Sequence, residues 1–341
     1  MTVEKNPHSI VILGGDRYDT WQDKQIVKHV EVELATDMSS EARLTCYDPR
    51  FKILDRYSTA DGVPRLIVLI YMGFGQDLGQ PVFKGLLDKV ERSDTDTTFI
   101  FGDMGLKMRG GLNHEYHKGL NDLEIKAKLA RRNDLAFEGP DKAVELEKHP
   151  SMIQDFKNDW EFAMERSRSS GFNMFVRQDT LFVKEPAKVG APVLTLKYRK
   201  DFWMEHDYSL TYKLPENQQG RPKVVHRYGR GRGGKRLVGE SGAHNRGHHP
   251  VEGRHDVAEH TKKYINRRAH AHKELQREPS FNCTVKSIPP LPGVRPDVRN
   301  TIEMQGLGEL FSGLYLCDKV RHEHGGGTFV TEYNLYRDIA R

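Results

Sequence analysis

The sequence predicts an α+β protein with two small antiparallel β-barrels, a compact α/β module between them and a long basic loop in the second barrel. Three observations predict this. The stretch Leu310–Arg337 alternates apolar and polar residues on both sides of Gly325-Gly326-Gly327, the pattern of a β-hairpin. A weaker copy lies at Val82–Phe101. Both copies carry Phe-x-Gly-Leu, then Asp-Lys-Val, then Thr-Phe, and the step from Val90 to Thr98 equals that from Val320 to Thr328. A hairpin used twice implies two related sheets. Two helices with capping signals fall between the copies. The length of 341 residues suits two or three domains.

The first barrel is assigned to residues 1–109. Ser9–Leu13 is a short strand ended by the Gly14-Gly15-Asp16 turn; no Gly-Lys-Ser/Thr follows, so the turn is not a phosphate loop. Ile26–Leu34 and Ala42–Tyr47 alternate as half-buried strands, Phe51–Tyr57 reads as a helical turn, and Arg65–Met72 is apolar on both faces like a central strand. The hairpin Val82–Phe101 completes the set.

The middle module is assigned to 110–187. Asn121 followed by Glu124 is a capping-box pattern, with Leu123, Ala127 and Ala130 on one face of the helix that follows. Asn158–Glu161 starts a second helix that places Trp160, Ala163, Met164 and Ser167 on one face, and Gly171 stands where a helix ends. Phe172–Val176 and Leu181–Val183 flank Gln178-Asp179 as a hairpin. The second barrel, 188–341, holds strands at Val193–Tyr198, Tyr208–Leu214, Phe281–Val285 and Thr301–Met304, a helix over 256–276, and the insertion 220–253. That insertion is rich in Gly, Arg, Lys and His, has too few apolar residues for a core, and is expected to be a mobile loop or an excursion ordered only by partners.

Hydrophobic residues make up 37% and charged residues 30%, which favours thin domains over one thick core. The net charge of +5 is modest, but positive charge is dense from Lys223 to Lys273. The three cysteines, Cys46, Cys283 and Cys317, form no CxxC and support neither a disulfide framework nor a zinc site. No apolar run reaches membrane-spanning length and no signal-peptide core is present, so folding in a reducing cytosol is expected.

No nucleophile elbow, His-Glu-x-x-His helix or Cys-His pairing occurs, and no catalytic, cofactor-binding or metal-ligating residue is assigned. His244, His248, His249, His255 and His260 cluster at the basic loop without metal-site spacing, and His322 and His324 share a strand face. Arg227, Tyr228, Arg230, Arg232, Lys235 and Arg236 form an Arg-Gly-Tyr run suited to single-stranded nucleic acid or an acidic partner. Nucleic-acid binding by this run is the alternative function. Trp160 belongs to a core by its helical spacing, whereas Trp21 and Trp203 sit in polar surroundings as candidate interface anchors.

Four stretches carry a resemblance: Asn121–Leu135, Gln154–Phe172, Asp179–Val183 and the hairpin Leu310–Arg337 with its Phe-Ser-Gly-x-Tyr start. In this order and spacing the chain resembles the baseplate hub proteins of contractile-tailed phages, the late control protein D family, and the hub part of type VI secretion spike proteins. The resemblance implies two tail-tube-like β-barrels per chain and a homotrimer closing a pseudo-sixfold ring with a central channel. Such a structural, non-enzymatic hub joins the sixfold tail tube to the threefold spike in a virion baseplate assembled in the bacterial cytoplasm. The implied partners are a spike protein, tube or tube-initiator proteins, wedge proteins and the tape measure, with DNA at most in transit. Because the sequence stops just after the second barrel, the spike is expected to be a separate chain. Ring contacts are expected in the repeated strands, at Phe83, Gly85, Leu86, Val90, Phe311, Gly313, Tyr315 and Val320.

Overall fold

Alternation in the sequence becomes one long, mostly antiparallel sheet. A computed structural model describes residues 7–337 apart from 21, 24, 37, 60–61, 75–78, 142–145, 203–207, 213–224, 231–235, 242–264, 268, 270–278 and 288–295. The first part of the chain supplies β1 (Pro7–Leu13), β2 (Asp16–Asp19), β3 (Val27–Ala35), β4 (Glu41–Tyr47), the short helix α1 (Lys52–Tyr57), β5 (Ile67–Phe74), β6 (Phe83–Arg92) and β7 (Asp96–Asp103). A 3-10 turn at Met104–Arg109 leads out of the sheet.

The middle part folds as β8 (Asn113–His117), α2 (Asp122–Arg132), β9 (Ala136–Glu138), β10 (Met152–Lys157), α3 (Asp159–Ser170), β11 (Asn173–Arg177) and β12 (Thr180–Lys184). The capping box is present: Asn121 Oδ1 accepts from the Leu123 and Glu124 N–H groups, and the Glu124 carboxylate accepts from the Asn121 N–H. Gly171 ends α3 at φ 73°, in the left-handed region that glycine enters without strain.

The last part returns to the sheet with β13 (Leu194–Lys197), β14 (Tyr208–Tyr212), β17 (Phe281–Ser287), β18 (Thr301–Gln305), β19 (Gly313–Gly325) and β20 (Thr328–Arg337). Between them, β15 (Val225–Arg230) and β16 (Arg236–Ser241) form a separate hairpin. The turn between β19 and β20 is Gly326-Gly327, with φ of 59° and 80°, the two-residue left-handed geometry that matches strand twist.

Strand order in the main sheet is β14-β17-β20-β19-β3-β4-β7-β6-β5-β1-β2, with β18 on the first half of β19 and β13 beside β18. One pattern therefore occurs twice. In the first half the neighbours run β1-β5-β6-β7-β4-β3; in the second they run β13-β18-β19-β20-β17-β14, with the elements in the same chain order. The outermost pair differs: β1 is antiparallel to β5, while β13 is parallel to β18. One continuous core lies beneath both halves, holding Val11, Leu44, Ile70, Phe99 and Phe101 from the first and Ile302, Tyr315, Val320, Tyr333 and Leu335 from the second. A second core joins the helices to the back of β6 through Leu86, Met104, Leu129, Trp160 and Phe162.

Several expectations change here. Of the three motifs shared by the hairpins, only Asp-Lys-Val falls at the same register. Asp88 and Asp318 are each the extra residue of a β-bulge, between Leu87 and Lys89 and between Cys317 and Lys319. The equal step from valine to Thr-Phe misleads because β19–β20 is the longer hairpin. Val90 lies opposite Phe99 but Val320 lies opposite Tyr333, so Phe329 is not the counterpart of Phe99. The Phe-x-Gly-Leu match is also shifted, since Phe83 is inside β6 whereas Phe311 ends the short helix Gly308–Phe311 ahead of β19.

Part of the insertion expected to be a loop is the β15–β16 ladder, Val225–Arg230 against Ser241–Arg236, whose strands pair along their backbones. The helix expected over 256–276 falls mostly outside the described residues; within it, 265–267 and 269 are helical, and Ile265 and Ala269 are buried. The apolar face expected on α2 is only partly the buried one: Ala130 is buried and Leu123 packs half-buried against the second core, but Asp122, Ile125, Lys126 and Leu129 are buried beside them, two of these charged.

Candidate functional site

The eight residues singled out for contacts mostly serve the chain's own interior. Phe83, Tyr315 and Val320 are buried in the core under the sheet, Leu86 in the second core, and Val90 and Phe311 are half-buried against the first. Gly85 sits under the crossing of β6 and β7, where a Cβ would lie 2.2 Å from the Gly102 carbonyl oxygen. Gly313, at φ 137°, lies against the Arg337 guanidinium. Arg337, which the sequence reading missed, clamps the start of β19. Its Nη1 donates to the Ser312 carbonyl at 2.7 Å, its Nη2 donates to the Leu310 carbonyl, and it stacks over the Phe281 ring at 4.2 Å. What these strands can offer a partner is therefore backbone edge more than side chain.

The two hairpins differ at that edge. Beyond its bulge, β19 pairs with β3 from Lys319–Ala35 to Gly325–His29, which makes the junction between the two halves. Diagonal ion pairs cover this junction: Lys319 Nζ is 2.7 Å from Glu33, and Arg321 Nη2 donates to Glu31 at 2.9 Å. The His29 imidazole 3.6 Å away, helped by Arg321, brings the Glu31 carboxyl down to about 2. The corresponding stretch of β6, Lys89–Arg92, pairs with β7 on one side and, among the described residues, with no strand on the other. At the far end of the sheet, β14 likewise pairs only with β17 among the described residues.

On the core face of the junction, Ser9 Oγ lies 2.7 Å from His324 Nδ1 and His322 Nδ1 is 2.9 Å from Thr331 Oγ1, while on the other face of β1 the buried His8 Nε2 lies 2.7 Å from Asp19. Burial, with the charges of His8 and His29, pushes the His324 imidazole down to about 4. The expected shared face of His322 and His324 is thus a buried one. Among the described residues, no group of three or more His, Cys, Asp or Glu side chains could hold a metal ion.

The middle module is bolted to both halves of the sheet by its β11–β12 hairpin. Arg177 Nη1 donates to Ser40 Oγ at 2.9 Å and its Nη2 to Asp297 at 3.1 Å, Gln178 donates to the Pro81 carbonyl at 3.0 Å, and Arg299 donates to Asn173 at 3.1 Å. Beneath α2 and α3, Asp122 accepts from His149 and Arg166. Burial would raise its carboxyl, but the His149 hydrogen bond and the charges of Arg166 and Lys126 outweigh it and hold the group well below the usual range. Burial pushes the Lys126 ammonium, fully enclosed beside the Phe172 ring, down to about 7 against the pull of Asp122. This network is closed from solvent and reads as packing within the module.

The Arg-Gly-Tyr run is divided. Arg227, Tyr228 and Arg230 lie on β15 and Arg236 on β16, whereas Arg232 and Lys235 fall outside the described residues. His244, His248, His249, His255 and His260, and Trp21 and Trp203, also lie outside them.

The sequence profile of the Alg8 N-terminal domain matches residues 9–210, more than half of the chain. The chain belongs to the Alg8 N-terminal domain family. The match runs from Ser9 in β1 to Leu210 in β14, so the family's segment holds nearly all of the first pattern, the helical module, β13 and part of β14. No curated protein matches the chain.

Solved structures are similar over nearly the full length. The tail protein of Neisseria meningitidis MC58 superimposes with a TM-score of 0.69 at 13% identity, over 98% of this chain and 97% of that one. The 43 kDa tail protein of prophage MuSo2 from Shewanella oneidensis gives 0.65 at 10% identity, over 97% and 98%. A type VI secretion component of E. coli, c3393, itself described as similar to the T4 tail proteins gp27 and gp5, gives 0.52 at 10% identity, over 92% and 74%. This member of the Alg8 N-terminal domain family thus has the fold of phage tail and type VI secretion proteins.

Proposed function

We propose that the chain is a structural baseplate hub of a contractile phage tail or related injection machine. In this reading three copies form a ring around a central channel, and each copy contributes two tube-like barrels, residues 1–109 and 188–341, carried on the module 110–187. Six similar walls then face the sixfold tube above, while the threefold arrangement of chains faces a spike below. The hub works through surfaces and not through catalysis. Its partners are the spike, the tube or its initiator, wedge proteins and the tape measure, and its place is the tail of the particle.

The observation that carries the reading is the strand order met twice, β1-β5-β6-β7-β4-β3 and β13-β18-β19-β20-β17-β14, with a bulge at Asp88 and at Asp318. A closed ring needs each contact to be met by a similar surface, and a doubled unit lets three chains answer to six positions. The similarity to phage tail and type VI secretion proteins supports the same class of role. The solution mass of the purified full chain tests it. Three chains per particle is the expected result; a stable particle of any other number overturns it.

A further inference from the structure

Resting on that ring reading, we infer that neighbouring copies join by strand pairing: the open edge of β6 at Lys89–Arg92 takes β14, Tyr208–Tyr212, of a second copy. The junction already inside the chain supplies the template. Val90 and Val320 follow the same bulge, and they lie opposite Phe99 and Tyr333. Phe99 pairs with Leu44 and Tyr333 with Val285, so those two correspond. Leu44 pairs with Val30 and Val285 with Tyr208, so β14 is the counterpart of β3, with Val30 matching Tyr208 and Leu34 matching Tyr212. Within the chain, Val320 of β19 lies opposite Leu34 of β3. The same geometry between copies sets Val90 opposite Tyr212, Glu91 opposite Thr211 and Arg92 opposite Leu210.

Burial supports the pairing independently. Val30, Val32, Leu34 and Val320 are buried at the internal junction, whereas their counterparts Tyr208, Leu210, Tyr212 and Val90 are only half-buried although they face the same core. An open edge lined by inward-facing apolar residues is a template for another strand. Bulges and charged side chains are common protections of an unpaired edge, and β6 carries both in Asp88, Lys89, Glu91 and Arg92. Here they do not block pairing, because β19 carries the same bulge with Lys319 and Arg321 and is paired along that edge by β3. The occupant is a second copy of this chain because β14 has the alternation and register the template requires.

The test is a disulfide between copies. Glu91 and Thr211 are exposed and point to the outer face, and all three native cysteines are buried. Directly opposed strand residues lie within disulfide range, and a residue two places along does not. In the full chain, the double variant Glu91→Cys with Thr211→Cys is expected to give two- and three-chain species on a non-reducing denaturing gel. Each single variant, and the off-register pair Glu91→Cys with Ser209→Cys, is expected to stay one chain. A three-chain particle whose matched pair does not cross-link, or cross-links no better than the off-register pair, overturns the strand pairing and leaves the hub standing. Matched cross-linking in a particle of another number sustains the pairing and overturns the hub.

Discussion

The hairpins β6–β7 and β19–β20 place the same bulge at the same three residues, Asp-Lys-Val, and then part company. β19 runs on to the Gly326-Gly327 turn and is paired along its outer edge by β3; β6 is shorter and its outer edge past the bulge has no strand partner among the described residues. Ion pairs Lys319–Glu33 and Arg321–Glu31 cover the first edge. At the second, the positions matching Glu31 and Glu33 are Ser209 and Thr211, which carry no charge. The comparison teaches that the bulge is a property of the repeated hairpin and not a device for keeping an edge apart. It also separates what the repeat shares, its backbone path, from what it does not, the side chains that close each junction.

The largest effect is expected at the position where the copies differ most. Gly85 and Tyr315 occupy matching places, since Gly85 pairs with Val68 and Tyr315 with Ile302. Tyr315 is fully buried, and Tyr315→Ala should cost about 4 kcal/mol, as large-to-small core changes do; chemical denaturation reads it. An unchanged midpoint would show that the core closes up around the loss.

Acid sensitivity should also differ between the junctions. His324 titrates near 4 when folded and near 6.5 when free, so its contribution is present above about 6.5 and is lost as pH falls toward 4. Relative to His324→Gln, the natural chain should lose up to about 3 kcal/mol across that window. The matching position in the first hairpin is Asp94, in the exposed turn, where no buried imidazole stands. Parallel stability curves for the natural chain and His324→Gln would remove the histidine from the account.

Gly85→Ala sets a Cβ against backbone at the β6–β7 crossing and should cost about 2 kcal/mol by overpacking, measured by thermal unfolding. The smallest effect belongs to the surface pairs. Glu33→Gln should cost less than about 1 kcal/mol and less still in high salt, since exposed ion pairs are weak and screened.

Much of this was readable in the sequence because it is local. The alternation of β3, β4 and β6, the Gly-Gly turn, the Asn121–Glu124 box and the Gly171 stop each depend on a few adjacent residues. The face of α3 was readable because Trp160, Ala163, Met164 and Ser167 share a helical stripe. What escaped depends on distance along the chain. Counting equal steps across two hairpins of unequal length set Thr98 against Thr328, although the ladders set Phe99 against Tyr333. Part of the face of α2 escaped because Asp122 and Lys126 look like surface residues until Arg166 and His149 arrive from far along the chain. The clamps Arg177 and Arg337 gave no local signal at all. The contact strands were named from the repeat alone, and sequence could not say which edge was already taken by β3.

The central claim is that one strand pattern is used twice, so that three chains present six near-equivalent walls. Averaged electron images of the purified particle viewed along its axis test this most directly. The account predicts a ring of six similar lobes around an open centre, exact only under threefold rotation. A ring of three lobes, or a particle with no open centre, would contradict it.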